Sequence, residues 1–115
     1  MKSSKPSIAV IGAGIGGLAV SSCLRKVGIE TRIYEQASTF TRIGAGIQMT
    51  PNAMRVLNGI GIGERIATHA FEPPHFRSRD FDTGNLTNEH LLGPDTFEKY
   101  GVRYFLMPVS YTHLR

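Results

Sequence analysis

The hydrophobic pattern changes period several times along the chain, and the first change is the sharpest. Ile8-Ala9-Val10-Ile11 is an unbroken apolar run, which fits a strand covered on both faces, as in a parallel sheet. Gly12, Gly14, Gly16 and Gly17 follow at once, and residues 15 to about 27 form a helix-compatible segment. Arg25 and Lys26 fall in its last turn, where cations suit the helix dipole, and Gly28 is placed to close it. Residues 30–34 then have the β-branched and aromatic content of a second strand. The predicted order is strand, tight turn, helix, strand, which is the start of a βαβ unit.

Beyond this unit the pattern loosens. Residues 36–49, with Thr39, Thr41, Gly44 and Gly46, read as a long irregular loop, a feature that usually carries function. Thr50-Pro51 opens a helix, with Thr50 as N-cap, Pro51 at the first helical position, and Ala53, Met54, Val56 and Leu57 as its buried face. Gly59 and Gly61 end it, and a short helical segment over residues 63–69 follows. From Pro73 the chain becomes extended: residues 75–81 alternate loosely, Asp82-Thr83-Gly84-Asn85 is a turn, and residues from 86 onward return as the paired strand. Residues 103–107 read as one more strand. The fold class is therefore α/β, a parallel start followed by an antiparallel hairpin that begins a second layer.

Composition narrows the function classes. The 115 residues suit one domain, and the net charge of +4 is scattered without a basic cluster, which argues against nucleic acid as a partner. Cys23 has no second cysteine, so an intrachain disulfide and a cysteine-rich zinc site are excluded, and a reducing cytoplasm is expected. Lys2, Lys5 and the Val20-Ser21-Ser22-Cys23 run could suggest a lipoprotein signal, but four glycines break the apolar core that such a signal needs. No apolar run approaches the roughly 20 residues of a membrane span. His69, His75 and His90 lack metal-ligand spacing and read as surface or helix-end residues.

The chemistry lies in the glycine turn. Gly12, Gly14 and Gly17 have the spacing G-x-G-x-x-G, in which the first permits the turn, the second admits a pyrophosphate to the backbone, and the third lets helix pack on strand. The N-terminus of the helix then presents unpaired N–H groups to the phosphates. Glu35 ends the second strand at about the 20-residue spacing at which a carboxylate accepts hydrogen bonds from a ribose 2′-OH and repels a 2′-phosphate. An unphosphorylated adenosine dinucleotide is the expected ligand. Arg42 can reach a nucleotide phosphate or ribose, or stand as a solvated loop cation, and Gly44-Ala45-Gly46-Ile47 can lay bare backbone against a flat ring.

Taken in order, the glycine turn, Tyr34-Glu35-Gln36-Ala37, Arg42-Ile43-Gly44-Ala45-Gly46-Ile47-Gln48, Pro51-Asn52-Ala53 and the stretch from Arg79-Asp80 to Thr83-Gly84 resemble a known pattern. They are similar to the N-terminal part of the FAD-dependent aromatic hydroxylases of the salicylate and 6-hydroxynicotinate type, which are flavoprotein monooxygenases. The likeness runs over about residues 7–107, an incomplete N-terminal part of the FAD-binding monooxygenase domain, and implies a Rossmann-like βαβ start with an incomplete substrate layer. It implies FAD as cofactor, with Gly12, Gly14, Ile15, Gly16 and Gly17 at the pyrophosphate, Glu35 and Gln36 at the adenosine ribose, and Arg42 clamping the nucleotide. Ala45, Gly46, Ile47 and Gln48 would lie near the flavin ring.

The same resemblance implies NADH or NADPH as reductant, with molecular oxygen and a small aromatic substrate as partners, and one oxygen atom passing to a ring activated by a hydroxyl group. Where the relatives continue with a His-Arg pair, residues 108–115 read Pro-Val-Ser-Tyr-Thr-His-Leu-Arg, which resembles a foreign run-on. The 115-residue chain is then expected to lack hydroxylase activity by itself. Two alternatives stay open on the sequence: another FAD oxidoreductase, which would share the first 35 residues, and a non-enzymatic dinucleotide-binding module.

Overall fold

β1 (Ser7–Ile11) and β2 (Glu30–Tyr34) run parallel, Ser7 opposite Glu30 and Ile11 opposite Tyr34, in the computed structural model, which describes residues 7–40 and 46–108. α1 (Ile15–Lys26) makes the connection and packs against both strands. Its end is set by Gly28 at φ +81°: the Gly28 N–H donates to the Arg25 carbonyl and the Ile29 N–H to the Leu24 carbonyl, each at 3.0 Å. That pair of bonds needs a left-handed residue between helix and strand, and glycine reaches that conformation without a Cβ penalty. The expectation of a strand covered on both faces is corrected here. β1 alternates in exposure and Ile11 is 82% exposed, because β2 is its only described strand partner and a single helix covers one face.

The long loop expected over residues 36–49 is also corrected. Its last part is β3 (Gly46–Met49), which pairs antiparallel with β6 (Phe105–Pro108), Gly46 opposite Pro108 and Met49 opposite Phe105. The backbone of Phe71 bridges Leu106 on β6, its N–H donating at 2.9 Å and its carbonyl accepting at 2.7 Å. α2 (Pro51–Gly59) and α3 (Gly63–Ala67) lie between these segments in the chain, and Gly61 at φ +85° closes α2 as Gly28 closes α1. The core forms where they meet: Met49, Met54, Ile66, Phe105 and Met107 are buried together, with Ile47, Leu57 and Val102 packed on them.

Three local expectations shift. Thr50 holds the N-cap position of α2, but its hydroxyl turns to the Asn52 side chain and makes no cap bond. Val56, expected on the buried face, is exposed, since Met54 and Leu57 carry the contact with the core. The last strand begins at Phe105 and not at residue 103, because its partner β3 ends at Met49 opposite Phe105 and the chain there turns into α2.

β4 (His75–Arg79) and β5 (Leu86–Leu91) form the expected hairpin, with a register shift at Ser78/Arg79. Asp80 organises its turn: one carboxylate oxygen accepts from the N–H groups of Asp82 at 3.1 Å and Thr83 at 2.8 Å and from the Thr83 hydroxyl at 2.9 Å. Between hairpin and β6 stands α4 (Pro94–Tyr100), which the sequence reading passes over. Basic residues tie the helices to one another at their C-terminal ends: the Lys26 ammonium donates to the Gly59 carbonyl at the end of α2, and Arg55, from the middle of α2, donates to the Tyr100 carbonyl at the end of α4 at 2.7 Å. No helix among the described residues is long and apolar enough to cross a membrane.

Candidate functional site

The turn between β1 and α1 takes its shape from glycines doing different work. Gly12 has φ +95°, and its N–H donates to the Tyr34 carbonyl at 2.7 Å, so the turn is tied to the end of β2 as it leaves β1. Gly17 is the packing glycine: a Cβ there would lie 2.0 Å from the Gly12 carbonyl oxygen and 3.4 Å from Cγ1 of Val10. Gly14 and Gly16 are different, because a Cβ on either would meet nothing within 4 Å among the described residues. Among the described residues, the space above the start of α1 is open.

That start is also unneutralised. Gly14 occupies the N-cap, no side chain caps the helix, and its first turn carries no acidic residue. The helix therefore directs uncapped N–H groups and the positive end of its dipole into the open space, an arrangement that favours a phosphate.

Glu35 stands directly after β2 and reaches back to this turn. One carboxylate oxygen accepts the Ala13 N–H at 2.7 Å, and the other accepts the Ala37 N–H at 2.9 Å. These amide donors, Ala37 first and Ala13 next, hold the Glu35 carboxyl below its usual range, so it is ionised at neutral pH. Ala13 is itself buried. Spacing alone points to Glu35 as a strand-end carboxylate; it carries no signal for the bond to Ala13, which only the closure of the βαβ unit creates. Gln36 follows Glu35 and is exposed.

The remaining candidates lie elsewhere. Gly46, Ile47 and Gln48 are on β3, in a different sheet from the glycine turn, with Ile47 turned to the core and Gln48 exposed opposite Leu106. Arg42 and Ala45 lie outside the described residues, as do residues 109–115 of the expected foreign run-on, while Pro108 completes β6 opposite Gly46. His90 stacks on Phe76 with ring centroids 6.4 Å apart, and Nδ1 of His69 sits 2.9 Å from the Arg65 carbonyl at the end of α3. No group of three or more His, Cys, Asp or Glu residues suited to a metal occurs among the described residues.

Residues 5–105, which hold this turn and Glu35, match the family model described as FAD binding domain. The chain belongs to the FAD-binding domain family. It is 40% identical to 6-hydroxynicotinate 3-monooxygenase of Pseudomonas fluorescens over 102 residues, which cover 89% of this chain and 26% of that protein. It is 36% identical to 3-amino-4-hydroxybenzoate 2-monooxygenase of Streptomyces platensis, over 98% of this chain and 28% of the relative. Among solved structures, HpxO of Klebsiella pneumoniae, complexed with FAD and uric acid, superposes with a TM-score of 0.79 at 28% identity, covering 92% of this chain and 26% of that one. The chain thus spans about a quarter of the length of the curated relatives it matches. These relatives are monooxygenases whose names specify hydroxylated aromatic acids.

Proposed function

We propose that this chain is the FAD-binding portion of an NAD(P)H-dependent flavoprotein monooxygenase that hydroxylates a phenolic or hydroxy-heteroaromatic acid. The observation that carries the reading is the glycine turn with Glu35 hydrogen-bonded to it. FAD fits what the turn offers: open space over Gly14 and Gly16, uncapped amides at the start of α1, and a carboxylate held at the turn's edge. On this reading, backbone at Gly12, Gly14, Ile15, Gly16 and Gly17 receives the pyrophosphate, Glu35 and Gln36 receive the adenosine ribose, and Arg42 clamps the nucleotide. Ala45, Gly46, Ile47 and Gln48 present β3 and the backbone before it to the flavin ring.

Bound FAD supplies the transfer of electrons from NADH or NADPH to molecular oxygen and the insertion of one oxygen atom into the aromatic ring. The protein's own part is to hold ring and cofactor at reacting distance and to keep water out. Hydroxylation is assigned to a longer protein, because this chain spans only about a quarter of the length of the monooxygenases it matches and leaves large apolar side chains uncovered. Ile11, Phe71, Phe81 and Leu91 are all exposed.

Isothermal titration of the 115-residue chain with FAD and with NAD tests the binding reading: saturable heat with FAD supports it, and binding of NAD alone points to the non-enzymatic module. Supplying the same chain with FAD, NADH, oxygen and a panel of hydroxylated aromatic acids is expected to give no hydroxylated product. Product formation would show that this chain contains a complete active site.

A further inference from the structure

We infer that Glu35 is a positioning residue for the pyrophosphate turn as well as a ribose acceptor, so that the two halves of the adenosine diphosphate site are coupled through one side chain. The inference rests on the proposed FAD-binding role and adds to it a function in the absence of ligand. The Ala13 N–H is the donor lying between Gly12 and Gly14 in the turn, and the Glu35 carboxylate takes it at 2.7 Å. Gly12 is tied to the same strand end through Tyr34. The turn is thus fastened to β2 at two successive residues, one bond backbone and one side chain.

Acceptor capacity makes the double role possible. An ionised carboxylate has about four lone-pair positions. Ala13 and Ala37 take one on each oxygen. The Gln36 N–H also acts on the carboxylate, and the acceptor capacity left over is open to a ribose hydroxyl. Glutamine has the same length but only one accepting atom, so an amide at residue 35 meets one of the two backbone N–H groups with another donor. The turn loses an anchor even when no ribose is present. Pre-organisation of this kind improves affinity by removing the ordering cost of the loop.

The coupling is read with two probes, ADP and 2′,3′-dideoxy-ADP, titrated into the 115-residue chain and into E35Q. If Glu35 acted on the ribose alone, its replacement would leave dideoxy-ADP binding unchanged, or strengthen it, because one negative charge near the diphosphate is gone. The turn-positioning role predicts instead that E35Q weakens dideoxy-ADP about tenfold, the scale of one charge-assisted hydrogen bond. Dideoxy-ADP binding that is equal or tighter in E35Q overturns the proposal.

A second readout needs no ligand. The Ala13 amide is expected to exchange its hydrogen slowly in the native chain and about tenfold faster in E35Q. The Ile29 amide, bonded to Leu24 at the end of α1, should keep its rate and so report that the unit is still folded. Fast Ala13 exchange in the native chain overturns the proposal even if E35Q does not fold. Absence of any nucleotide binding by the native chain would count against the FAD reading, and Ala13 exchange would still judge the turn.

Discussion

Gly17 lies so close beneath the carbonyl of Gly12 that a Cβ added to it would sit 2.0 Å from that oxygen. The obstacle is backbone, not the end of a flexible side chain, so α1 must move off β1 to admit a methyl group. Overpacking of this kind typically costs about 1–3 kcal/mol, and G17A should lower the urea midpoint accordingly. Gly16 is the control on the same helix. Its Cβ position meets none of the described residues, so G16A should keep or raise stability by up to about 1 kcal/mol through helix propensity. On the proposed FAD reading the same methyl enters the pyrophosphate space, and FAD affinity should fall. Equal stability of G17A and the native chain would contradict the packing role.

Acid should loosen both turns through their carboxylates. Glu35 is held below its usual 4.5 by Ala37 and Ala13, and Asp80 below its usual 3.8 by the Thr83 N–H, then the Thr83 hydroxyl, then Asp82. A group whose folded pKa is depressed adds stability that is present above its unfolded value and disappears as pH falls through its folded value. Glu72 beside Arg103 and Glu89 beside Arg77 shift in the same direction. The urea midpoint should therefore be level from neutrality to about pH 5 as far as these groups are concerned, and fall steadily below it. E35Q combined with D80N should flatten that fall. A native chain that gains stability on acidification below pH 4.5 would reverse the assigned sign.

The legible parts of this protein are those whose instructions are local. The apolar run 8–11, the glycines after it, the strand 30–34 and Glu35 lie within one stretch of chain, and the structure assembles them as spaced. Gly28 and the Asp82–Asn85 turn were readable for the same reason, since φ and turn chemistry depend on immediate neighbours. β3 was not readable: Gly46-Ile47-Gln48-Met49 is a short, glycine-led segment, and it becomes a strand only because β6, far along the chain, pairs with it. α4 does carry signals, namely Pro94 at its first turn, Asp95 beside it, Lys99 near its end and Gly101 at φ +71° after it, but its seven residues are too few to show a helical apolar period. The covering of β1 and the Glu35–Ala13 bond are tertiary facts with no local signature.

The core is small enough that one aromatic ring decides it. Phe105 is 2% exposed and pairs across the sheet with Met49, packed with Met54, Ile66 and Met107. Removing a buried phenyl group costs about 3–5 kcal/mol, to be set against roughly 5–15 kcal/mol for the whole of a typical domain. F105A should shift the urea transition to very low denaturant or abolish it, whereas F105L, which keeps most of the volume, should cost less than about 1.5 kcal/mol. Loss of β6 would also release β3, and with it Gly46, Ile47 and Gln48, so if these lie at the flavin as proposed, FAD affinity should fall in F105A by more than in F105L.

Arg103 fixes the outer side of the same strand by two contacts of different character. Its guanidinium grips both Glu72 oxygens, with Nε at 3.0 Å from the first, and its Cζ lies 4.9 Å over the Phe105 ring. The Glu72 carboxylate, first by hydrogen bonding and then by its charge, raises the pKa of Arg103, which therefore stays ionised over the whole range in which the protein is folded. The pair is partly solvated, Arg103 being 51% and Glu72 24% exposed at the side chain, so the ionic part should be worth at most about 1 kcal/mol. A double-mutant cycle of R103A with E72A should return a coupling of that size and lose most of it in 1 M salt. R103A alone should cost more than E72A alone, because only the arginine is also stacked on the ring, at about 0.5–1 kcal/mol for an exposed cation–π contact. R103K keeps the charge without the planar fork, and should recover less than half of the difference. Full recovery by lysine would reduce the contact to simple charge attraction and remove the stacking from the account.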